Sequence, residues 1–187
     1  MIRTARAEET MDLAELVYII LQDMELPIIE NMPKNELLRL LSEAMQEETY
    51  RYSFRNGVVC ERDGQIAGVA FGYKGELEPV IDQPLMRIAQ KHGYGDSFRV
   101  FIDSETQPGE WYLDSIVTHP DFRRQGVATE LLESVPEWAG RQGETVVGLN
   151  CDQQNLSARK LYERQGFVKV GERRLASHMY DHMQKNI

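Results

Sequence analysis

The chain has 187 residues, a length that fits one ordinary domain and suffices to bury about 70% of the unfolded surface without metals or disulfides. Its 30 acidic and 21 basic residues give a formal net charge of -9. This balance argues against nucleic acid or an anionic membrane as a partner and fits a cationic substrate such as an amine, although the same charge also serves solubility.

The first part of the chain is predicted to form a strand and two helices. Ile2 to Arg6 is typical of a strand, and Glu8 and Glu9 then form a favourable acidic first turn of a helix. Apolar residues recur in that helix with helical spacing, at Leu13, Leu16, Val17, Ile20 and Met24. Pro27 ends the first helix and Pro33 can begin the second. The buried stripe of the second helix contains Leu37, Leu41, Ala44 and Met45.

A β-hairpin is predicted next. Residues 57–62 and 65–72 are both rich in strand-forming residues, and Asp63-Gly64 between them is the strongest short signal of a two-residue hairpin turn. These two runs are therefore expected to be the second and third strands of a sheet.

Residues 74–109 form the most irregular part of the chain. A short helix is predicted over Leu85–Lys91, ended by Gly93, and an apolar run follows at Phe98–Ile102. Long loops within compact domains tend to be functional or disordered. We expect either a cover on the substrate side or a contact in a homodimer.

A predicted strand at Trp111–Thr118 leads through a turn at Arg123–Thr129 into an amphipathic segment, Glu130–Ala139. A strand that feeds a glycine-containing turn at a helix start can point several backbone N–H groups at an anion. Gly126 lets the backbone approach a phosphate and Ala128 keeps the next contact small, while the helix dipole adds about half a positive charge. A diphosphate would fit this turn.

The last part of the chain continues with a strand-like run, Thr145–Asn150, and a helix for which Asn155 is a good N-cap. Residues 167–174 and 177–183 can supply a final hairpin. In the second strand of this hairpin, alternation would place every other side chain on the same face, and these are His178, Tyr180 and His182.

Two of these segments together resemble the GNAT superfamily of N-acetyltransferases. Residues 123–128 match the Arg-x-x-Gly-x-Ala form of its acetyl-CoA pyrophosphate signature, and residues 155–167 match Asn-x-x-Ala-x-x-Leu-Tyr-x-x-x-Gly-Phe. The resemblance implies an α/β fold of the α+β type, with a mostly antiparallel sheet of about seven strands, flanked by helices and splayed between strands four and five. It also implies one domain over residues 1–187, with residues 74–109 as an insertion.

The resemblance further implies direct transfer of the acetyl group of acetyl-CoA to a primary amine of a small molecule or protein. The backbone of Ile116, Val117 and Thr118 would pair with pantetheine, since an extended amide chain can pair with a splayed strand. Asn155 and the turn would complete the cofactor site, the turn comprising Arg123, Arg124, Gln125, Gly126, Val127, Ala128 and Thr129. Tyr162 corresponds to the usual general acid toward the coenzyme A thiolate, although it could also simply pack its helix on the sheet.

The acceptor side is less defined by the sequence. Tyr112 and Asp114 share the strand face on which family members often place a base near the amine. Asp114 could act as the base, bind the ammonium or be structural, because an ordinary aspartate with a pKa near 4 is a weak base toward ammonium. Some resembling enzymes carry a glutamate where this chain has Asn150. His178 and Tyr180 are candidate substrate contacts, with packing or an interface as the alternative.

Other features of the sequence bear on the location of the protein and on metal binding. Cys60 and Cys151 lie in or beside apolar runs, so buried reduced thiols and a cytoplasmic location are expected. No apolar stretch or basic leader indicates a membrane span or signal peptide. His178 and His182 lie in a strand-like context that cannot present a helical ligand pair, so no catalytic metal is expected. A non-catalytic acyl-CoA-binding or sensing module is the alternative function.

Overall fold

Seven strands form one sheet in the order β1-β2-β3-β4-β5-β7-β6. The computed structural model describes residues 1–187. The strands are β1 (Ile2–Thr4), β2 (Gly57–Arg62), β3 (Gln65–Lys74), β4 (Trp111–Thr118), β5 (Val146–Asp152), β6 (Val168–Leu175) and β7 (His178–Asn186). The predicted hairpin is present, with Arg62 paired to Gln65 across the Asp63-Gly64 turn.

The helices cover both faces of this sheet. They are α1 (Thr10–Asp23), α2 (Ile28–Asn31), α3 (Lys34–Ala44), α4 (Gln83–Lys91), α5 (Val127–Arg141) and α6 (Leu156–Arg164). The single-turn helix α2 was not predicted. Helix α5 begins three residues before the predicted Glu130, directly after Gly126 in a left-handed conformation.

Two apolar cores lie on opposite faces of the sheet. In the first core, α1 and α3 pack on side chains such as Val69 and Phe71 of β3. The predicted stripe of α3 is fully buried there, at Leu37, Leu41, Ala44 and Met45. In the second core, α5 and α6 pack on the other face, against residues that include Ala70 and Leu149. The helices therefore cover both faces of the sheet. A central opening in the sheet is formed by the strands alone.

That opening lies between β4 and β5. These strands run parallel and pair at two positions only, Trp111 with Val147 and Tyr112 with Gly148, whereas every other strand pair is antiparallel. Beyond Tyr112, the edge of β4 that faces β5 has no strand partner. The predicted mixed, mostly antiparallel sheet with a splay between strands four and five is confirmed.

The 74–109 segment contains a single turn of 3-10 helix at Gly75–Leu77, one α-helix and a long irregular stretch. Helix α4 is present where a helix was predicted, two residues longer at its start. Residues 92–110 contain no helix or strand, and the apolar run Phe98–Ile102 divides its side chains, since Val100 is buried in the first core while Ile102 is 81% exposed.

Glu78 holds the end of this stretch in place. One of its carboxylate oxygens accepts the backbone N–H groups of Glu105 and Thr106, and the other accepts the hydroxyls of Ser104 and Thr106. A single side chain therefore satisfies four donors of a loop that lacks backbone pairing.

Candidate active site

The turn between β4 and α5 presents a row of free backbone donors. The first backbone hydrogen bond of α5 joins the Glu130 N–H to the Gly126 carbonyl oxygen at 3.0 Å, and the N–H groups of residues 124–129 have no partner within the protein. Gly126 has a φ of 81°, which favours glycine, and a side chain added there would meet no atom within 4 Å. The turn therefore combines unpaired donors, a helix N-terminus and open space beside Gly126, as an anion site requires.

A cleft of about 460 Å³ occupies the opening between β4 and β5. It is lined by Ile116 of β4, by Asn150, Cys151 and Asp152 of β5, by Gln154, Asn155, Ala158 and Tyr162, by Tyr180 of β7, and by Ile20, Asp23 and Met24 of α1. Four residues that the sequence placed in a site therefore meet in one cleft: Ile116, Asn155, Tyr162 and Tyr180.

Tyr162 reaches this cleft from the middle of α6. Asn155 caps that helix, its side-chain oxygen accepting the Ala158 N–H at 3.0 Å, and this fixes where the next two turns point. The Tyr162 ring packs edge-on against Phe167, with ring centroids 6.0 Å apart, while its hydroxyl has no hydrogen bond within the protein. Burial raises the pKa of Tyr162, so its phenol keeps its proton at neutral pH. The residue both packs and presents a free proton donor.

Asp114 lies in a buried ion pair. It is the extra residue of a β-bulge, because Leu113 pairs with Gly72 and Ser115 with Phe71. Its Oδ2 is 2.8 Å from Nη1 of Arg51, its Oδ1 accepts the Ser115 hydroxyl at 2.8 Å, and its side chain is 2% exposed. Among the three roles left open by the sequence, this placement favours the structural one.

Arg51 gathers three carboxylates around one guanidinium. Nε and Nη2 bind the two oxygens of Asp82 at 2.8 and 2.7 Å, and Nη1 binds both Asp114 and Glu105 at 2.8 Å. The Phe101 ring lies 3.8 Å from the guanidinium carbon. Burial alone would lower the pKa of Arg51, but these carboxylates raise it well above its ordinary value. Nothing in the sequence around Arg51 indicated this cluster.

Tyr112 extends the cluster toward β5. The Tyr112 hydroxyl donates to Oε2 of Glu105 at 3.0 Å, and the Tyr112 side chain is buried. Asn150 Nδ2 donates both to the Tyr112 hydroxyl oxygen and to the Glu105 carbonyl oxygen, each at 2.9 Å. Asn150 therefore fixes the backbone of Glu105. Some resembling enzymes carry a glutamate at this position.

The histidines of β7 have different environments. His182 is fully buried, with Nδ1 2.7 Å from Asn150 Oδ1 and Nε2 3.0 Å from Glu110 Oε2. His178 is partly exposed and lies 2.9 Å from Asp152 Oδ2. Tyr180, between them on the strand, lines the cleft. His182 therefore belongs to the buried network, while His178 and Tyr180 lie close to the opening.

A second cavity of about 460 Å³ adjoins the cleft and shares Met24 with it. Its walls are the connection from α1 to α2, residues 99–103 and the β6–β7 turn, and they include Leu26, Ile28, Val100, Phe101 and Leu175. Glu105 also lines it. The cavity thus combines a mainly apolar wall with one buried carboxylate.

The fold and this site define the class of protein. The chain belongs to the Acetyltransferase (GNAT) family, whose profile matches residues 26–167, and the resemblance in the two sequence motifs is confirmed. A solved structure described as an acetyltransferase is 43% identical, with a TM-score of 0.93 over 100% of this chain and 99% of that one. An N-acetyltransferase from Staphylococcus aureus Mu50 is 32% identical, with a TM-score of 0.87 over 99% and 100% of the two chains.

Two curated relatives carry acetyltransferase names. The chloroplastic GCN5-related N-acetyltransferase 4 of Arabidopsis thaliana is 36% identical over 70 residues, which are 36% of this chain and only 24% of that protein. Aminoglycoside N(6')-acetyltransferase type 1 of Serratia marcescens is 25% identical over 134 residues, 60% of this chain and 91% of that protein. Family and relatives together support an N-acetyltransferase.

Further structural facts concern metals, membranes and thiols. The side chains form no group of three or more His, Cys, Asp and Glu residues that could hold a metal ion. None of the helices is long and apolar enough to cross a membrane. Cys60 and Cys151 are free and buried, as predicted, and burial raises the pKa of both thiols.

Proposed function

We propose that the protein transfers the acetyl group of acetyl-CoA to the primary amine of a small molecule or an exposed protein amine. The observation that carries this proposal is the row of free N–H groups at residues 124–129, placed at the end of the strand that borders the open cleft. A diphosphate would accept these donors, and the unpaired edge of β4 at Ile116, Val117 and Thr118 would pair with the pantetheine amides.

The acceptor would enter from the second cavity. Met24 lines both this cavity and the cleft in which the thioester would lie. An amine bound in the cavity would therefore be next to the thioester. The apolar side chains favour an amine with a hydrocarbon or aromatic body, and the net charge of -9 favours a cation. The Serratia marcescens relative is named for acetylation of aminoglycosides, and this supports a cationic amine as the acceptor class.

In this reaction acetyl-CoA supplies an acyl group activated as a thioester. The protein positions the amine against that group and manages protons. Tyr162, whose phenol stays protonated and lines the cleft, would give its proton to the departing thiolate. His178 and Tyr180 would contact the acceptor at the rim.

Thermal stability tests the cofactor turn. Coenzyme A at 100 times its Kd should stabilise the wild-type protein by about 2.7 kcal/mol, seen as a rise in Tm. Gly126→Asp should abolish this rise, because it places a side chain and a negative charge in the space that faces the free N–H groups.

Gly143→Asp provides the matched control. Gly143 follows α5 at its other end, has a φ of 84° and also has no atom within 4 Å of an added side chain, so the backbone strain is comparable. It should keep the coenzyme A response. Equal responses of the two variants would contradict the assignment of the turn.

Free-thiol release with a panel of amines, polyamines, amino acids and peptides tests the reaction itself. Turnover of at least one amine is expected. Tight coenzyme A binding without turnover of any of them would instead favour the non-catalytic acyl-CoA-binding module.

A further inference from the structure

Glu105 differs from the other carboxylates on Arg51 in what it faces. Asp114 is enclosed in the protein, and Asp82 faces the opposite side of the 99–105 loop together with Arg51. Glu105 alone among the three lines the mainly apolar cavity, although its side chain is only 8% exposed. A carboxylate that is largely buried yet borders a cavity is placed to meet a ligand there.

We infer that Glu105 is the catalytic base that takes the proton from the acceptor ammonium, an inference that rests on the acetyltransferase reaction proposed above. Glu105 lies outside the two motifs at residues 123–128 and 155–167, in the irregular 74–109 segment.

Neighbouring groups hold the Glu105 carboxylate in one orientation. Arg51 Nη1 binds Oε1 at 2.8 Å and the Tyr112 hydroxyl binds Oε2 at 3.0 Å. A carboxylate has about four lone-pair directions, so each oxygen keeps one free for an ammonium hydrogen. Asn150 and Glu78 fix the backbone from either side, through the Glu105 carbonyl oxygen and N–H. The base is therefore positioned before the amine arrives.

The location also fits the geometry of transfer. Asn150 lines the cleft and holds Glu105, which lines the adjoining cavity. Tyr180 lines the cleft as well, and burial together with the charges of Asp152 and Glu105 raises the pKa of its phenol to about 12. Glu105 therefore lies at the junction of the two spaces, on the acceptor side.

Its surroundings make this carboxylate a stronger base than usual. Desolvation raises the pKa of Glu105 to about 7, with the charge of Asp114 adding to the rise while Arg51 and the Tyr112 hydrogen bond oppose it. The titratable groups whose charge acts on it or that bond to it are Arg51, Tyr52, Tyr73, Tyr112, Asp114 and Tyr180, and the Glu78 carboxylate accepts its backbone N–H. The same cavity is also lined by Glu25, Arg99, Asp103 and Arg174. A base whose pKa is near the working pH is the most effective.

Every bond that forms in this reaction is matched by one that breaks. One N–H bond of the ammonium breaks and its proton joins Glu105, leaving a lone pair on nitrogen. That lone pair forms the C–N bond at the thioester carbonyl carbon, the C–S bond breaks, and the thiolate takes the proton of Tyr162. The nitrogen releases a second proton, which restores Tyr162, and Glu105 returns its proton to solvent. The sum is one amide, one thiol and one proton.

Glu105→Gln tests the role in the purified full chain, with an amine that the wild type acetylates. The variant keeps the shape, and Arg51 retains two carboxylate partners, so the fold and the coenzyme A response in Tm should persist. The value of kcat should fall by at least about 10²-fold. The wild-type kcat/KM should rise with pH through the pKa of Glu105 and level off above it, because the base must be ionised, and this acidic limb should vanish in the variant.

Three further measurements separate the outcomes. Glu76→Gln, an exposed glutamate of the same segment, should behave as wild type. Tyr112→Phe removes a hydrogen bond that favours the ionised form and should move the acidic limb to higher pH. Carboxyl carbon NMR of the ligand-free protein should show one glutamate that titrates well above the ordinary range and disappears in Glu105→Gln.

An active wild type with unchanged kcat and pH profile in Glu105→Gln would overturn the role of Glu105 while leaving the acetyltransferase function intact. A wild type that binds coenzyme A and acetylates no amine would overturn both.

Discussion

Replacement of Arg51 by methionine is expected to lower the free energy of unfolding by about 3–5 kcal/mol, the range measured when one partner of a buried ion pair is removed. The guanidinium is 2% exposed and is the cation that contacts Asp82, Glu105 and Asp114. Methionine fills the volume but leaves these carboxylates without a counter-charge. Urea unfolding of the wild type and the variant measures the difference.

The loss should depend on pH in a defined direction. Burial raises the pKa of Asp82 and of Glu105 even with Arg51 present. Loss of the Arg51 guanidinium should raise these two pKa values further. A carboxyl group whose pKa is higher in the folded state costs stability increasingly as pH rises from its unfolded pKa to its folded pKa. A further rise in the folded pKa extends this loss to higher pH, so the deficit should be smaller at pH 5 than at pH 7.5. Equal deficits at the two pH values would contradict an ionic cause.

Arg87→Met is the matched control for this substitution. The Arg87 side chain is 61% exposed, and its pairing with Glu47 is long, at 3.6 Å. Exposed ion pairs contribute at most about 1 kcal/mol, so this variant should unfold nearly as the wild type does.

Tyr162→Phe is expected to lower kcat by about 10²-fold or more while leaving the affinity for acetyl-CoA unchanged. Phenylalanine keeps the ring that packs against Phe167 and removes only the hydroxyl, which has no partner within the protein. Stability should therefore change little. Steady-state kinetics with a saturating amine, together with a coenzyme A binding isotherm, separate the loss of a proton donor from the loss of a binding site.

Tyr18→Phe removes a hydroxyl from another buried tyrosine, on α1, and should leave kcat unchanged. If Tyr162→Phe also retains the wild-type kcat, Tyr162 serves packing alone, and the thiolate would take its proton from solvent or from another group of the cleft.

The elements that the sequence predicted well are those specified by neighbouring residues. The Asp63-Gly64 hairpin and the turn at Gly126 depend on backbone conformations that a few adjacent residues determine. Asn155 caps its helix as expected, because the capping oxygen and the N–H it accepts are three residues apart. The apolar stripe of α3 likewise follows from helical spacing.

The acceptor side could not be predicted in this way. Arg51 meets Glu105 and Asp114 across 54 and 63 residues of sequence, and a polar run around Glu105 is typical of an exposed turn. The bulge at Asp114 also changes where that side chain points, and strand alternation alone does not contain this information. The partners of these charged groups become apparent only when the 74–109 segment is folded against β4.

Glu78 has a consequence for how this chain can diverge from its relatives. Surface loops usually accept added or deleted residues at small cost, because each doubling of loop length costs only about 0.6 kcal/mol in closure entropy. Here the four donors of residues 104–106 must meet two oxygens of one side chain. Changes in length between Glu78 and Ser104 leave these hydrogen bonds intact if the chain still returns to them, whereas one residue added between Ser104 and Thr106 shifts Glu105 out of register. Variation in acceptor preference among related chains should therefore accumulate before residue 104.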